Sequence, residues 1–477
     1  MKNITANHHE YFKDRLSATE KKQIDQWFGE YINEGQIKYL RAGHLDVLET
    51  KRQGIHFTEP VNGQRIMDGF SAAGSFNVGR LNPEITAVLR NALDQWDMGD
   101  MQSISPVKVK LARKLTELAP GNLNRILFAS GGGDALEAAI KLARGATGRS
   151  EIISTVKAYH GHTGFALSAN GKEHYRKYFE PLIPEFRFVP FNDLHAMNSI
   201  VSEKTAAILV EPVQGEAGIF VGTPDYLKGL RQLCDKFGCL LIFDEVQTGF
   251  GRTGKMFACE HSGVVPDIMA LAKSMGGGVY ANAAVLYQDS AALVTFVEAH
   301  PEFHTSWGGT DLGCEVSLAV LEYLQKNRLW EHAERMGNKL QTALSEIQQE
   351  NPEIIKEIRG IGLMIGVEYL HEFMGPMMSD ALARNGVFAV YSGNAPQVMR
   401  FMFPLVISED EMEQVIDAIR HAVHAMKWLF PVALHVAKVP FLLEWLNDEK
   451  FQTTVFNGLR KLEDLQRKLN PFLRRKK

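Results

Sequence analysis

The chain has 477 residues, 45% of them hydrophobic, and a formal net charge of -4. This length and composition predict a folded protein with a large apolar core. The nearly balanced charge argues against a nucleic-acid partner, so a small molecule is the expected ligand. The four cysteines lack the paired spacing of a zinc site, and we expect reduced core thiols and no bound metal.

The N-terminal segment, residues 1–65, is predicted to be a polar helical arm that joins a smaller domain. Trp27 and Tyr31 are placed to dock on a larger body rather than to form a core of their own. The first ten residues lack the charged-then-apolar order of a secretory signal. The expected location is therefore the cytoplasm.

Residues 66–325 alternate short apolar runs with helix-like segments. This pattern predicts an α/β fold, in which a large domain contains a mostly parallel sheet covered by helices. The strand candidates are 125–129, 151–155, 206–210, 239–243 and 268–272. Because ligands of such sheets bind beyond the carboxyl ends of the strands, polar residues directly after these runs are candidates for function.

Residues 326–426 are predicted to form a smaller α+β domain. It would contain a helix with Leu340, Leu344 and Ile347 on one face, a strand pair around 361–368 and 387–391, and a helix over 408–426. Residues 427–477 are predicted to be a C-terminal helical extension whose end is basic. A solvated helix, docking on a dimer, and contact with an anionic membrane surface are all open for it.

Two charged residues follow buried runs. Asp244 ends the run 239–243, where a charge is costly without a partner, and a protonated heterocyclic nitrogen would be one such partner. Lys273 ends the run 268–272, where desolvation would lower the pKa of its amine and make it a nucleophile. Taken singly, an ion pair or helix cap at Asp244 and a solvated lysine at 273 remain alternatives.

A glycine turn at 131–133 separates the strand candidate 125–129 from a strongly predicted helix. Free N–H groups and the positive end of the helix dipole make such a helix start suitable for a phosphate group. The turn is not a Walker A loop, because no Gly-Lys-Ser/Thr follows. A tight turn without a ligand is the alternative.

Over residues 60–425 these features resemble the class III (ornithine, acetylornithine and ω-amino-acid) aminotransferases of pyridoxal 5'-phosphate (PLP) fold type I. The most specific resemblance is Leu-Ile-Phe-Asp-Glu-Val-Gln-Thr-Gly-Phe-Gly-Arg-Thr-Gly over 241–254, with Lys273 29 residues after Asp244. Around 76–79 the chain resembles the putrescine-type diamine branch. The resemblance implies a PLP fold type I architecture and PLP as the cofactor.

The resemblance also implies roles for individual residues around the cofactor. Lys273 would hold PLP as an internal aldimine and shuttle a proton, and Asp244 would face the pyridine nitrogen. The remaining cofactor-binding residues would be Gly132 and Gly133 at the phosphate, Tyr159 with its neighbour His160 and Val246 at the ring faces, Gln247 at the 3-oxygen, and Thr305 and Ser306 at the phosphate of a neighbouring subunit. A homodimer with shared active sites follows from the last pair.

Four residues bear on the substrate. Glu211 and Glu216 are the first and last residues of a second family signature, Glu-Pro-Val-Gln-Gly-Glu. Arg400 matches a family arginine whose charge the later glutamate neutralises. Trp307 stands where phenylalanine or tyrosine is usual. Arg80 replaces a common histidine, so the shape of the pocket, and with it the substrate, stays open.

The leading hypothesis is an aminotransferase that moves an amino group from an amine or amino acid to a keto acid or aldehyde by a ping-pong mechanism. The alternative is another PLP reaction on this fold: a decarboxylating aminotransferase, an aminomutase or a racemase. A third hypothesis is a non-enzymatic binding protein that keeps the fold. The spacing of His160 and His162 could ligate a metal, but the stacking segment accounts for both.

Overall fold

The structure is a computed structural model that describes residues 14–100 and 102–437. Its strands are β1 (Thr50–Gln53), β2 (His56–Thr58), β3 (Arg65–Asp68), β4 (Arg125–Ala129), β5 (Glu151–Thr155), β6 (Phe186–Val189), β7 (Thr205–Val210), β8 (Val213–Gln214), β9 (Phe220–Val221), β10 (Leu240–Asp244), β11 (Ile268–Leu271), β12 (Ala283–Tyr287), β13 (Ile355–Ile361), β14 (Met364–Tyr369), β15 (Val387–Phe388), β16 (Val390–Tyr391) and β17 (Val398–Phe401). The α-helices span Ala18–Trp27, Glu34–Ala42, Pro83–Leu93, Pro106–Leu118, Gly132–Thr147, Gly164–Ala169, Glu173–Arg176, Leu194–Ile200, Pro224–Phe237, Ala291–Ala299, Asp311–Lys326, Leu329–Glu350, Met374–Arg384 and Glu409–Ala437.

A seven-stranded sheet has the order β4-β12-β11-β10-β7-β5-β6. β12 runs antiparallel to both of its neighbours, and the other neighbouring strands pair in parallel. Each of the five strand candidates in this region is found to within one residue. The prediction of an α/β fold with a mostly parallel sheet is confirmed.

Two helices, Pro224–Phe237 and Gly132–Thr147, pack on the large sheet through their buried faces. Thr223 caps the helix Pro224–Phe237 through its side chain, and proline occupies the first helical position, where no N–H is needed. This helix contacts β10 and β7. The helix Gly132–Thr147 contacts β4, β7, β11 and β12 through its buried residues and so lies across the sheet. Both helices contact β10, and the residues of that strand from Leu241 to Asp244 are buried.

The first 65 residues are helical only in part. The helices Ala18–Trp27 and Glu34–Ala42 are joined by a π-helical segment, Phe28–Asn33, but β1 and β2 follow, and β3 begins at Arg65. The sequence analysis did not predict these strands. Their partner lies far along the chain, since β3 pairs in parallel with β15.

The segment after residue 326 contains a second, antiparallel sheet of order β13-β14-β17-β16. The helix Leu329–Glu350 buries Leu340, Leu344 and Ile347, as its spacing predicts. The predicted strand 361–368 is wrong in its bounds, because Gly362, with a φ of 57°, turns the chain between β13 and β14.

The predicted strand 387–391 is also wrong as a single element. Val387 and Phe388 pair with β3, whereas Val390 and Tyr391 pair with β17. This short stretch therefore joins two sheets. A pattern of alternating residues cannot distinguish one strand from two strands that belong to different sheets.

No helix within residues 14–100 and 102–437 is long and apolar enough to cross a membrane. Of the predicted extension 427–477, the structure describes Lys427 and the helical backbone of residues 428–437. The basic end of the chain and the first ten residues lie outside the described part.

Candidate active site

The polar residues that follow β10 and β11 meet at one edge of the large sheet. Asp244 is the last residue of β10 and lies in register with Ala270 of β11, and Lys273 comes two residues after β11 ends. Both side chains line one cavity of about 190 Å³. The structure therefore brings together the carboxylate and the amine that the sequence singled out.

Five separate segments of the chain supply the lining of this cavity. The lining residues are Gly132, Gly133, Tyr159, His160, Gly161, Glu211, Val213, Glu216, Asp244, Val246, Gln247 and Lys273. Ten of them are site residues predicted from the sequence. Arg400 reaches the cavity through its contact with Glu216.

Asp244 is held by hydrogen bonds on both of its oxygens. Its Oδ2 lies 2.8 Å from His160 Nδ1, and its Oδ1 accepts a hydrogen bond of 3.0 Å from the Val246 amide. The other ring nitrogen of His160 lies 3.3 Å from the Ser154 hydroxyl. This buried chain fixes the direction in which the carboxylate faces the cavity. It also commits His160 to a carboxylate rather than to a metal.

Lys273 has an unusual backbone and a free amine. Its φ of 46° lies in the left-handed region, which costs roughly 1 kcal/mol for a residue with a side chain and is often found at functional sites. Within the described residues its ammonium makes no hydrogen bond or ion pair. Burial lowers the pKa of Lys273, although Glu216, Asp244 and Glu211 oppose the shift. A larger fraction of neutral amine is therefore present near pH 7.

The glycine turn leads into the helix Gly132–Thr147 without a side-chain cap. Gly131 is extended at the N-cap position, and within the described residues the amides of Gly132 and Gly133 donate to no protein group. A Cβ on Gly132 would lie 2.9 Å from Val246 Cγ1. Glycine at 132 therefore keeps the turn close to Val246 and leaves donors free at the helix start.

Gln247 lines the cavity, Ser274 directly follows Lys273 in the chain, and each has a buried polar atom without a partner among the described residues. Gln247 Nε2 donates to the Ala73 carbonyl at 3.3 Å, while its Oε1 is buried without a hydrogen-bond partner among the described residues. The Ser274 hydroxyl is unpaired in the same sense. A buried polar atom without a partner is costly, so a bound polar group at this position would be stabilised.

Glu211 ties two cavity loops together. Its carboxylate accepts hydrogen bonds from the amides of Tyr159 (3.1 Å) and Gly215 (3.2 Å). Burial raises the pKa of Glu211 to about 7, with Asp244 adding to the rise and His160 opposing it. Glu211 thus acts on the shape of the cavity as well as on its charge.

Glu216 and Arg400 form a hydrogen-bonded ion pair at the cavity. Arg400 belongs to β17, is 3% exposed, and lies 4.9 Å from the centre of the Phe70 ring. Although burial acts in the opposite direction, Arg400 lowers the pKa of Glu216. The Nε of Arg400 is buried and has no partner within the described residues, so the guanidinium retains a donor for a further acceptor.

Three predicted site residues do not line this cavity. Thr305 donates from its hydroxyl to the Phe128 carbonyl at 3.0 Å, Ser306 is exposed, and Trp307 is 57% exposed. They lie on the loop before the helix Asp311–Lys326. Within a single chain they do not complete the site.

Arg80, which stands where the family commonly has a histidine, also does not line the cavity. It is 5% exposed, pairs with Asp68 and Glu49, and covers the Phe76 ring at 4.5 Å. It therefore anchors β3 rather than contacting a ligand.

Gly161, Val213 and Ser154 belong to the site but were not assigned a role from the sequence. Gly161 and Val213 lie inside motifs that were recognised, and only the fold shows that they line the cavity. Ser154 is buried within β5 and reaches the site through His160. A polar residue directly after the buried pair Ile152 and Ile153 was the available signal.

The residues present fit PLP. An uncommitted lysine amine, a fixed carboxylate, free amides at a helix start and the side-chain NH2 of Gln247 surround one cavity. These are the groups required to hold, respectively, an aldehyde, a pyridinium nitrogen, a phosphate and a ring oxygen.

Comparisons with known proteins identify the family of the chain. The family described as aminotransferase class-III matches residues 40–423. An uncharacterized aminotransferase of Archaeoglobus fulgidus is 40% identical over 403 residues, which cover 84% of this chain and 94% of the relative.

Two solved structures extend the comparison to the fold. An ornithine aminotransferase from Toxoplasma gondii, described with partial occupancy of PLP at its active site, superposes with a TM-score of 0.80 at 28% identity and covers 88% of this chain and 96% of its own. An (S)-enantioselective omega-transaminase from Thermomicrobium roseum gives a TM-score of 0.76 at 27% identity, with 86% and 99% covered.

These relatives are aminotransferases, which favours transamination over decarboxylation, isomerisation or racemisation on the same fold. The chain belongs to the class III aminotransferases and is a PLP-dependent transaminase.

Proposed function

We propose that this transaminase holds PLP through Lys273 and Asp244 and uses the Glu216–Arg400 pair to accept two kinds of substrate at one site. The observation that carries the proposal is the ion pair of Arg400 with Glu216 in the cavity that Lys273 and Asp244 also line. The substrates would be an amine or amino acid donor and a keto acid or aldehyde acceptor.

Bound PLP supplies an electron sink that stabilises negative charge at the substrate carbon. Asp244, fixed by His160, would keep the ring nitrogen protonated. The amides of Gly132 and Gly133 would bind the phosphate, and Gln247 would hydrogen-bond the 3-oxygen. Val246 and Tyr159 would pack against the two faces of the cofactor ring.

Lys273 would hold the cofactor and then move a proton to and from the substrate carbon. Its lowered pKa supports this role, because a general base is most effective when its pKa lies near the working pH. Its position two residues beyond β11 supports it as well, since the rigid sheet limits the movement of its backbone.

The Glu216–Arg400 pair would distinguish substrates by charge. With the pair closed, the arginine is neutralised and an uncharged aldehyde or the carbon chain of an amine can lie beside it. With the pair open, the planar guanidinium can bind a substrate carboxylate. One site could then complete both halves of a ping-pong cycle.

Stopped-flow spectra of the PLP-loaded enzyme test this proposal by following each half-reaction separately. In Glu216→Gln the charge of Arg400 is uncovered, so we expect the half-reaction with butane-1,4-diamine to slow about tenfold relative to that with a carboxylate substrate. Glu203→Gln, at an exposed position, is the control. Equal changes in both half-reactions would refute the two-substrate role.

We also propose a homodimer with shared active sites. Met98, Ile104, Val109 and Trp307 are large apolar residues that are 40%, 89%, 59% and 57% exposed. Asp311 links two of these regions, since its amide donates to the Met98 carbonyl and its carboxylate accepts from Ser105. If a second copy of the chain covered these exposed apolar residues, Thr305 and Ser306 of one copy would lie near the phosphate site of the other copy.

Light scattering of the wild type should give the mass of a dimer. Ile104→Asp should give a monomer with weakened PLP binding, because the partner's loop is lost. A wild-type monomer with full activity would refute the dimer.

Two further proposals concern the chain as a whole. The four-stranded sheet β1-β2-β3-β15 supports joining residues 1–65, which contain β1 and β2, to the unit 326–426, which contains β15, around the large domain 66–325. All four cysteines lie in the described part and are unpaired and buried, which supports a reducing, cytoplasmic location.

A further inference from the structure

A cluster of aromatic rings continues from the cavity toward the Glu216–Arg400 pair. Tyr159 lines the cavity, and the Tyr175 ring packs edge-on against it with the centroids 5.5 Å apart. His162 packs against both tyrosines, and His174 packs against Tyr175. These contacts fix Tyr175 one ring away from the cavity wall.

The hydroxyl of Tyr175 and one oxygen of Glu216 flank the same small gap, at Gly393. A methyl group built on Gly393 would lie 3.6 Å from the Tyr175 hydroxyl and 4.0 Å from Glu216 Oε2. The other oxygen of Glu216, Oε1, is the one that contacts Arg400. Within the described residues the Tyr175 hydroxyl makes no hydrogen bond, so it is a donor without a partner.

When the ion pair opens, the Glu216 carboxylate needs a new hydrogen-bond donor. When a substrate carboxylate takes Arg400, the Glu216 carboxylate loses its cation while only 19% of its side chain is exposed. A charge left unpaired in such a position is strongly unfavourable. A donor close to Oε2 would lower the free energy of the open state and thereby strengthen carboxylate binding.

We propose that Tyr175 is a specificity-determining positioning residue whose hydroxyl donates a hydrogen bond to Glu216 when Arg400 binds a substrate carboxylate. The inference rests on the proposed two-substrate role of the Glu216–Arg400 pair. Tyr175 selects for the carboxylate-bearing substrate and is not needed while the pair is closed.

Neighbouring donors are less suited to this role. The Lys172 amine already donates hydrogen bonds to the carbonyls of Gly393 (3.3 Å) and Asn394 (3.5 Å). Tyr159 lies at the cofactor cavity itself. Burial, together with the nearby charge of Glu216, raises the pKa of Tyr175 to about 12. The phenol therefore stays protonated, as a donor must, over the working pH range.

The test measures binding of glutarate, a dicarboxylate without an amino or keto group, to the PLP-loaded enzyme by isothermal titration calorimetry. In Tyr175→Phe we expect the Kd to rise about 5- to 10-fold, as for the loss of one hydrogen bond to a charged group. Gly393→Ala keeps the phenol but puts a methyl group into the gap, and it should have a similar effect. Tyr178→Phe, at a tyrosine that is 72% exposed, is the control and should match the wild type.

A second measurement separates positioning from general damage. The half-reaction with butane-1,4-diamine, for which the pair stays closed, should be unchanged in Tyr175→Phe. Equal losses for glutarate binding and for the diamine would show a merely structural role, and unchanged glutarate binding would refute the inference.

Glu216→Gln distinguishes this failure from failure of the two-substrate role. If the pair works as proposed, Glu216→Gln tightens glutarate binding, because no carboxylate competes for Arg400. Tighter binding in Glu216→Gln with no effect of Tyr175→Phe would refute only the role of Tyr175. Unchanged binding in both variants would refute the two-substrate role and the role of Tyr175 with it.

Discussion

The hydrogen-bond chain around Asp244, at the cofactor end of the cavity, and the ion pair at its substrate end differ in how their polar atoms are paired. At the cofactor end, around Asp244, His160 and Ser154, a continuous chain of hydrogen bonds fixes the carboxylate. At the substrate end, around Glu216, Arg400 and Tyr175, a buried guanidinium nitrogen and a phenol have no partner among the described residues. A fully paired network favours one arrangement, whereas spare donors permit two.

This difference matches the two tasks of a transaminase. The cofactor keeps one orientation through the whole cycle, so its supports gain from rigidity. The substrates differ in charge between the two halves of the cycle, so the groups that face them must rearrange. The predictions below test each end of the cavity in turn.

The largest expected effect is at Lys273. In Lys273→Ala both the attachment of the cofactor and the proton transfer are lost, so transaminase turnover should fall by at least about 10³-fold. Steady-state kinetics with the purified variant would measure it, and an unchanged melting temperature would show that the fold is intact. Turnover close to the wild-type rate would contradict the role given to this amine.

The glycine turn should tolerate a side chain at one position and not at the next. Gly132→Ala places a methyl group 2.9 Å from Val246 and would push that side chain into the cavity, so PLP affinity should fall roughly 10- to 100-fold. A methyl group on Gly131 meets no atom within 4 Å, and Gly131→Ala should bind PLP normally. Fluorescence titration with PLP would compare them. Similar affinities for the two variants would mean that the turn is not close to the ring.

Removing His160 should loosen the cofactor end. His160→Ala leaves one oxygen of buried Asp244 without its partner, so we expect PLP affinity and kcat to fall about tenfold or more. His195→Ala alters an exposed ring outside the cavity and is the control. The visible spectrum of the loaded variant would show whether the ring nitrogen is still paired. Wild-type affinity in His160→Ala would show that Asp244 needs no support.

The smallest effect is a shift in pH dependence. Only the neutral amine of Lys273 reacts with the cofactor aldehyde, and burial lowers its pKa below the usual 10.5. The rate at which PLP-free enzyme takes up PLP should therefore rise with pH with a midpoint below pH 10.5. Asp244 and Glu216 oppose the shift, so Glu216→Gln should move the midpoint to still lower pH. A midpoint at or above 10.5 would show that the amine is not desolvated.

The cofactor end could be predicted largely from the sequence, because its residues follow buried strands within short motifs. Asp244 ends β10 and Lys273 follows the neighbouring parallel strand β11, and strand ends can be recognised from apolar runs. The contact between His160 and Asp244 joins residues 84 apart, and no local pattern indicates it. The role of His160 at the carboxylate is therefore visible only in the fold.

The substrate end and the short strands were harder to predict. The matching arginine and glutamate were identified by resemblance, but Tyr175 lies in a short helix, Glu173–Arg176, with no motif of its own. β1, β2 and the division of 387–391 into two strands depend on pairing with distant segments. Such pairing is determined by tertiary packing rather than by local propensity.

The central claim is that the amine of residue 273 carries the cofactor in the cavity that Asp244 lines. Borohydride reduction of the PLP-loaded enzyme, followed by peptide mass mapping, tests it most directly. We expect the reduced cofactor on the peptide that contains Lys273, and none of it in Lys273→Ala. Finding the cofactor on another lysine, or no covalent label in the wild type, would contradict the account.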